Sequence, residues 1–357
     1  MTFWREVCGS CGRTWELEQR RWQCPCGGLL DLVGPRADPC AGPRSGSADT
    51  PLSRYAGVLP PGAGDVDLGL WVTPVERIGP GVHLKCDHLQ PTGSFKARGA
   101  AVMIGVAARM GVTSVLLDSS GNAGKAAAAH AAAASMACTV LVPAGTDGAK
   151  IGAMGRYGAE VVVVAGDRSA TSRAAEEALA DAGPGGAPWY ASHVHQPLFH
   201  HGVKTLAFEL AEQVPGLEQG AVVVPAGNGT LVLGLWLGFS DLVAAGRLPG
   251  MPRLVAVQAE SCAPLAGRPV GHPATAATGI AVARPPRGRQ VRAAVAATGG
   301  GVVTVGEDDI AAARHRLEDL GLTVEATGAV GFAALGDLTA RDGPTGDPRP
   351  LVVVLTG

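Results

Sequence analysis

The sequence predicts an α/β protein built from two parallel-sheet lobes with a cleft between them. Short apolar runs of strand length alternate with alanine-rich segments of helix length from Val112 onwards, and such alternation favours parallel sheets with helices on both faces. The alternation starts again after His193, which indicates a second sheet. The chain has 357 residues, 46% of them hydrophobic, so it is long enough to bury two cores.

Each element is predicted from its apolar pattern and from the glycines and prolines that bound it. In the first set, the strands are predicted at residues 83–86, 112–120, 138–143 and 160–165, and the helices at residues 95–108, 124–137, 149–158 and 170–182. In the second set, the helices are predicted at residues 205–213, 231–245, 307–320 and 329–338, and the strands at residues 221–225, 254–259, 302–305 and 351–355.

The domain boundaries follow from composition and from the order of these elements. A cysteine-rich, ribbon-like module is expected at residues 1–35, and a linker rich in Pro, Gly, Ser and Ala at residues 36–51. We expect a large catalytic lobe from residues 52–97 together with 196–357, and a smaller inserted lobe at residues 98–195. The chain would therefore leave the large lobe once and return to it.

Composition restricts the classes of partner. The formal net charge is −2 and there is no long basic block, so the chain lacks the charge pattern of a nucleic-acid or acidic-membrane binder. There is no apolar run of transmembrane length and no secretory leader pattern at the start of the sequence. We expect a cytoplasmic protein that acts on a small molecule.

Four of the eight cysteines lie close together near the start of the chain. Cys8 and Cys11 form a C-x-x-C pair, and Cys24 and Cys26 form a narrower C-x-C pair. Four thiolates can close a tetrahedral zinc site, and a closed site of this kind is structural and away from any chemistry. The alternative is a vestigial ribbon with free thiols.

Lys96 is the main catalytic candidate. It lies in the string PTGSFKARGA, between a short strand and a helix that Ser94 is placed to cap. Apolar neighbours and a nearby helix N-terminus both disfavour the charged ammonium form of a lysine. A larger fraction of the side chain is then the neutral amine, the form that acts as a nucleophile. The alternative is an ordinary surface lysine at the start of a helix.

Three further segments follow predicted strands, where α/β sheets bind ligands. One is the turn Ser119-Ser120-Gly121-Asn122, which opens a helix. The second is the loop Gly227-Asn228-Gly229-Thr230, whose glycines allow successive amides to face one anion at a helix N-terminus. The third is Thr356, at the end of the last strand. An ordinary strand-to-helix turn and a strand-end cap are the simpler interpretations.

Taken together, these motifs resemble those of the threonine synthase-like family of fold type II pyridoxal-phosphate enzymes, and the resemblance extends over nearly the whole chain. It implies that pyridoxal 5'-phosphate is the cofactor, bound in the cleft, and that the protein forms a homodimer. It implies that Lys96 carries the cofactor and then acts as general base. It also implies that Asn122 contacts the ring 3'-oxygen and that Thr356 contacts the pyridine nitrogen. The substrate carboxylate would be bound by Ser119, Ser120 and Gly121. The cofactor phosphate would be bound by Gly227, Asn228, Gly229 and Thr230.

One segment departs from the family pattern. Threonine synthases carry an Asn-Ser-x-Asn-Pro stretch followed by an Arg and a Glu, whereas this chain has HVHQPLFHH from His193 to His201. Phe199 occupies the position of the Arg, and an aromatic ring cannot replace the charged contacts that a guanidinium makes to a phosphate. Phosphohomoserine is therefore expected to be a poor substrate. A metal site at these histidines is the less favoured alternative.

The expected function is that of a lyase or synthase acting on a small amino acid with a β- or γ-leaving group, by α-proton abstraction and then elimination or replacement. The alternatives are a serine/threonine dehydratase and a β-replacing synthase of the cysteine synthase or cysteate synthase type. A more distant alternative is a non-catalytic regulatory or nucleic-acid-binding protein built around the ribbon. Arg13, Arg20 and Arg21 would support it, but Glu16 and Glu18 offset their charge.

Overall fold

A computed structural model describes residues 4–35, 37–41, 50–181, 186–268, 270, 274–342 and 349–357, without the side chains of residues 340–342. Part of the predicted linker, residues 36 and 42–49, lies outside the described residues. Among the helices of the described ranges, none is both long and apolar enough to cross a membrane.

The strands and helices alternate along most of the chain. The strands are β1 (Arg5–Cys8), β2 (Thr14–Glu16), β3 (Leu30–Val33), β4 (Val75–Gly79), β5 (Val82–Lys85), β6 (Ser114–Asp118), β7 (Ala137–Pro143), β8 (Glu160–Val164), β9 (Trp189–Tyr190), β10 (Ala221–Pro225), β11 (Arg253–Ala259), β12 (Gly301–Val305) and β13 (Leu351–Val354). The helices are α1 (Pro51–Arg54), α2 (Lys96–Arg109), α3 (Asn122–Ala133), α4 (Gly148–Gly155), α5 (Arg168–Asp181), α6 (Leu198–Val203), α7 (Thr205–Gln213), α8 (Thr230–Ala244), α9 (Gly288–Ala297), α10 (Glu307–Asp319), α11 (Ala326–Ala333) and α12 (Leu335–Asp342).

The chain forms two compact units. The first comprises Met1–Trp71 and Lys96–Gly202, and the second comprises Val72–Phe95 and Val203–Gly357. The predicted division into a ribbon, a linker and two lobes is finer than this and stays a prediction.

The first unit contains two sheets. The N-terminal sheet is antiparallel, with the order β2-β1-β3. The other sheet has the order β8-β7-β6-β9, and all its neighbouring strands are parallel. Helix α2 packs against α3, and α3 and α5 pack on the strands. The small side chains of α2 and α3, mostly alanine and glycine, allow this close packing.

The second unit contains one mixed sheet with the order β12-β11-β10-β13-β5-β4. Strands β12 to β5 in this order are parallel, whereas β4 pairs with β5 in the antiparallel sense. The connection between β4 and β5 is only two residues long, and so short a connection can form only a hairpin. The prediction of a parallel sheet is therefore confirmed for the four-stranded sheet of the first unit and wrong at the β4 edge of the sheet in the second unit.

The order of this sheet determines which loops meet. Strands β10, β13 and β5 are parallel neighbours, so their carboxyl ends lie at the same edge of the sheet. The loop after Pro225, the C-terminal Thr356 and the segment after Lys85 all leave the sheet at that edge. Two backbone hydrogen bonds join the last two of these segments, from the amide of His88 to the carbonyl of Leu355 and from the amide of Phe95 to the carbonyl of Thr356.

Two local predictions need correction. The helix predicted at residues 329–338 is two helices, α11 and α12, separated at Ala334. The alanines and leucine around this break favour helix on both sides, so the sequence pattern does not reveal it. Ser94 does not cap α2, because it lies two residues before the first helical residue and its buried hydroxyl has no hydrogen-bond partner within the described ranges.

Candidate active site

Lys96 is the first residue of α2. Its amine lies 5.7 Å from the centre of the Phe199 ring. Burial, and to a smaller extent the nearby charge of Arg168, lower the pKa of the Lys96 amine from 10.5 to about 7. Both causes disfavour the ammonium form. At neutral pH a large fraction of Lys96 is therefore an uncharged amine, which can act as a nucleophile or as a base.

This lowered pKa predicts how Lys96 reacts with an amine reagent. In protein free of bound ligands, acetylation of Lys96 by acetic anhydride should accelerate as the pH rises and level off above about 7, because only the neutral amine reacts. Quantitative peptide mass spectrometry between about pH 5 and about pH 9 measures the profile. In Arg168→Gln the midpoint should move to higher pH, since one of the two causes is removed. A wild-type rate that still rises steeply at about pH 9, as expected for an ordinary lysine with a pKa of about 10.4, would contradict this assignment.

The turn after β6 is held by Ser119. Its hydroxyl oxygen accepts hydrogen bonds from the amides of Gly124, at 3.1 Å, and Gly121, at 3.5 Å. Gly124 has no room for a side chain, because a Cβ there would clash with the backbone carbonyl oxygen of Ser119. The turn thus starts α3 with Asn122 as its first residue and Gly121 at the cap position. Asn122 and the amides of this turn lie in the first unit, as does Lys96.

In the second unit, the glycine loop after β10 leads directly into α8. Gly229 is the N-cap residue and has φ +78°, a left-handed conformation that favours glycine. Gly227 is equally restricted, because a Cβ there would lie 2.8 Å from the Cα of Ile280. The N-terminus of a helix of 15 residues, preceded by two glycines, provides successive backbone amides and a positive dipole end. These features suit an anion such as a phosphate.

Two buried hydroxyls lie near the same edge of the sheet in the second unit. The side-chain oxygens of Thr356 and Ser94 have no hydrogen-bond partner in the described part of the chain, although the two residues are 3% and 1% exposed. A Cβ on Gly357 would lie 2.7 Å from the Cβ of Ser94, so this segment and the C-terminus are in close contact. A buried hydroxyl without a partner costs about 1–3 kcal/mol. Unpaired hydroxyls of this kind can form hydrogen bonds with polar atoms of a bound ligand.

The His193–His201 segment lies beside Lys96 within the first unit. The ring of Phe199 is 1% exposed, and a Cβ on Gly99 would lie 2.5 Å from it, so the ring packs on the first turns of α2. The rings of His193 and Phe199 are 5.7 Å apart. Burial, followed by the charges of Lys96, Arg168 and His195, holds the pKa of His193 well below 6.5. The segment that departs from the family pattern therefore forms part of the surroundings of Lys96.

The four N-terminal cysteines come together as predicted. Their sulfur atoms all lie within 4.8 Å of one another, with Cys8–Cys26 and Cys11–Cys26 at 3.5 Å and Cys11–Cys24 at 3.7 Å. Zinc–thiolate bonds of about 2.3 Å in a tetrahedron give sulfur–sulfur distances of roughly 3.8 Å. A hydrogen bond from the backbone at Cys11 is the main cause that lowers the pKa of the Cys8 thiol to about 6. The donor set and its spacing fit a zinc ion.

Sequence reasoning missed that the ribbon packs against the histidine segment. The Nε2 atom of His201 lies 3.0 Å from the carbonyl oxygen of Leu32, and its ring lies 5.1 Å from that of Trp4. The ring of Trp22 lies 5.3 Å from that of His195. These contacts join residues more than a hundred positions apart in the sequence, and no local pattern indicates them. The proximity of Arg168 to Lys96 was also missed, because no local pattern indicates it.

Comparison with known proteins identifies the family. Residues 66–357 match the family described as "Pyridoxal-phosphate dependent enzyme". The threonine synthase of Mycobacterium leprae (strain TN) is 33% identical over 277 residues, which are 75% of this chain and 73% of that protein. The threonine synthase of Methanocaldococcus jannaschii is 27% identical over 378 residues, covering 98% of this chain and 91% of the relative. The crystal structure of a threonine deaminase from T.th. covers 80% of this chain and 92% of its own, with a TM-score of 0.64 and 28% identity.

The fold and the match over most of the chain define the class: this chain belongs to the family of pyridoxal-phosphate dependent enzymes, with the α/β architecture of fold type II. The two relatives from Mycobacterium leprae and Methanocaldococcus jannaschii are threonine synthases, and the protein is a pyridoxal-phosphate dependent lyase or synthase of the threonine synthase-like kind. This membership decides against the hypothesis of a non-catalytic, ribbon-based regulatory protein.

Proposed function

We propose that the protein eliminates or replaces an oxygen substituent on the β-carbon of a small amino acid of the serine or threonine type, with pyridoxal phosphate attached to Lys96. The observation that carries the proposal is the amine of Lys96, whose pKa is lowered to about 7 beside a segment that supplies a phenyl ring and a neutral imidazole. The relatives support the same class of chemistry.

The predicted site residues suit different parts of the cofactor. Gly227, Asn228, Gly229 and Thr230 would donate amides to the phosphate at the start of α8. The unpaired hydroxyl of Thr356 would meet the pyridine nitrogen. Lys96 would carry the cofactor, and Asn122 would donate its side-chain amide to the ring oxygen. Ser119, Ser120 and Gly121 would hold the substrate carboxylate, the last through its backbone amide.

When bound, pyridoxal phosphate withdraws electrons from the α-carbon of an amino acid. The protein's part is to move the proton. A Lys96 amine with a pKa of about 7 can take a proton from the α-carbon at neutral pH and return it later. A threonine hydroxyl, unlike a carboxylate, does not keep a ring nitrogen protonated. Thr356 therefore favours rapid loss of a leaving group over a long-lived carbanion.

Threonine synthase activity is the second candidate, and one observation favours it. Arg168 is close enough to lower the pKa of both Lys96 and His193, so it places a positive charge where a phosphorylated substrate could use it. A rapid-mixing absorbance screen with L-serine, L-threonine, O-acetyl-L-serine and O-phospho-L-homoserine distinguishes the candidates. If the phosphorylated compound reacts fastest and Arg168→Gln loses that reaction, the second candidate replaces the first.

We also propose that Cys8, Cys11, Cys24 and Cys26 bind one structural zinc ion. Zinc binding and folding are coupled in such small modules, so a chelator should loosen the ribbon and change the fluorescence of Trp22, which packs on His195. Turnover should be largely retained, because four thiolates leave no open coordination position for chemistry.

Metal analysis of protein purified under reducing conditions tests the zinc assignment. We expect about one zinc per chain, a strong loss in Cys11→Ser, and no loss in the control Cys40→Ser, whose residue lies outside the cluster. Fully reduced wild-type protein without zinc would remove the metal from the assignment.

The homodimer and the cytoplasmic location stay predictions, and sedimentation equilibrium of the full chain tests the first of them.

A further inference from the structure

The carboxylate of Asp118 lies at the end of β6 and joins this strand to two other elements of the first unit. Its Oδ1 atom accepts a hydrogen bond from the phenol of Tyr190 in β9 at 2.6 Å, and its Oδ2 atom accepts one from the hydroxyl of Ser172 in α5 at 2.5 Å. Asp118 directly precedes Ser119, whose hydroxyl holds the turn that leads into α3. The end of β6 is therefore tied to a neighbouring strand and to a helix at the point where the turn begins.

The register of the sheet brings these groups to one face. Tyr190 pairs with Leu116, and Asp118 lies two positions further along β6, so the side chains of Tyr190 and Asp118 stand on the same side of the sheet. That face carries a hydrophobic cluster of buried residues, Leu116, Leu141, Ala175 and Tyr190. Ser172 lies three residues before Ala175 on α5 and so shares its face of the helix. The two hydroxyls and the carboxylate thus form a polar cluster at the edge of an apolar one.

The phenol of Tyr190 is a neutral donor that is held in place. Tyr190 is 1% exposed, and its ring packs edge-on against that of Trp22, with the ring centres 5.2 Å apart. The side-chain amide of Gln196 donates a hydrogen bond to the backbone carbonyl of Tyr190 at 2.9 Å. Burial, followed by the charge of Asp118, raises the pKa of the phenol above its ordinary value, so the hydroxyl keeps its proton at neutral pH. Asp118 is therefore bound by a donor that stays protonated and packed.

A turn that is fixed in position binds a carboxylate more tightly than a mobile one. Hydroxyls and backbone amides donate hydrogen bonds only within a limited range of directions. A mobile turn must be ordered each time a ligand binds, and the cost in entropy weakens binding. The hydrogen bonds from the amides of Gly121 and Gly124 to the hydroxyl of Ser119 set the shape of the turn. The hydrogen bonds to Asp118 set the position of the strand end that carries it.

We propose that Asp118 is a positioning residue for substrate binding, whose hydrogen bonds with Tyr190 and Ser172 hold the following turn in the orientation that receives the α-carboxylate of the substrate. This inference rests on the proposed function, in which residues 119–121 hold that carboxylate, and it adds the group that orients them. Asp118 acts through the turn and not by contact with the substrate.

The first test uses kinetics of the complete enzyme with bound cofactor. In Asp118→Ala, KM for the best substrate should rise about tenfold while kcat changes by less than about twofold, because the loss falls on binding. Tyr190→Phe removes one hydroxyl and keeps the packed ring, so KM should rise about threefold. The double variant should resemble Asp118→Ala, since the two groups act through one contact. In the control Asp147→Ala, which removes a carboxylate that caps α4, both constants should be unchanged.

The second test measures binding without turnover. L-Alanine and L-alaninamide have nearly the same size, but only L-alanine carries a carboxylate. Calorimetry should show that wild type and Asp147→Ala bind L-alanine more tightly, and that this preference falls about fivefold in Asp118→Ala and about twofold in Tyr190→Phe. A general loss of structure or of cofactor would weaken both ligands alike and leave the ratio of their dissociation constants unaltered. Near-ultraviolet circular dichroism checks that each variant is folded.

The outcomes separate this inference from the function on which it rests. If wild type prefers L-alanine but the folded variants keep the wild-type ratio, the inference is wrong, whatever the change in KM, and the proposed function stands. If wild type binds the two ligands equally, the turn does not hold the carboxylate and both fail. Should Asp118→Ala not fold, the ratio in Tyr190→Phe decides, because that variant keeps the packed ring.

Discussion

Replacing Lys96 by alanine is expected to lower kcat on the best substrate by on the order of 10⁴-fold, because one change removes both the point of cofactor attachment and the general base. The structure supports so large an effect. The amine of Lys96 is held at the start of α2 and its pKa is lowered to about 7. The measurement is steady-state turnover with added pyridoxal phosphate, together with the visible absorbance of the purified protein.

Two control variants separate this effect from misfolding. Lys96→Arg keeps the positive charge and most of the length of the side chain but supplies no neutral amine at working pH, so it should be as inactive as Lys96→Ala. Lys125→Ala removes a lysine of α3, a helix that packs on α2, and it should retain turnover. Appreciable activity in Lys96→Ala, above about a hundredth of the wild-type kcat, would place the base at another residue.

O-Phospho-L-homoserine is expected to be roughly a hundredfold poorer in kcat/KM than the best β-substituted serine or threonine. Losing one charged contact to a substrate phosphate costs on the order of 2 to 3 kcal/mol. The resemblance to threonine synthases implies an Arg at the position of Phe199, which is packed on Gly99 and 1% exposed. His193 does not replace the lost charge, since its pKa is well below 6.5.

The matched comparison for this prediction is the reverse substitution. Phe199→Arg would place a guanidinium where the resemblance to threonine synthases implies one, and Gly99, which has no side chain, packs directly beneath this position. We expect this variant to reduce the difference in kcat/KM between O-phospho-L-homoserine and the best β-substituted serine or threonine. Efficient threonine formation by wild type, with weak turnover of the β-substituted compounds, would contradict the prediction and restore plain threonine synthase activity through Arg168.

Much of the fold could be predicted because its strands are short valine-rich runs and its helices are alanine-rich. The strand at Ala221–Pro225 and the helix at Thr205–Gln213 begin and end at the predicted residues. Strand β4 and its antiparallel pairing were not predicted, because the apolar pattern of a segment does not give the direction in which it pairs. The break at Ala334 was missed since both flanking sequences favour helix.

The candidate site could be predicted to the extent that it consists of short contiguous motifs. Each of three segments requires glycine or a small polar residue at a fixed position, and these requirements are visible as local sequence motifs. The segments are the lysine string, the Ser119–Asn122 turn and the glycine loop. Long-range neighbours carry no such signal. The charge of Arg168 near Lys96, the packing of Trp22 on His195 and the unpaired hydroxyl of Ser94 arise only when distant segments fold together.

The most direct test of the account is to locate the cofactor chemically. Purified protein loaded with pyridoxal phosphate is reduced with borohydride, digested, and analysed by peptide mass spectrometry for the phosphopyridoxyl group. The account predicts one modified peptide, with the group on Lys96. Modification of any other lysine in its place, such as Lys85 or Lys204, or persistence of a reducible link in Lys96→Ala, would contradict it.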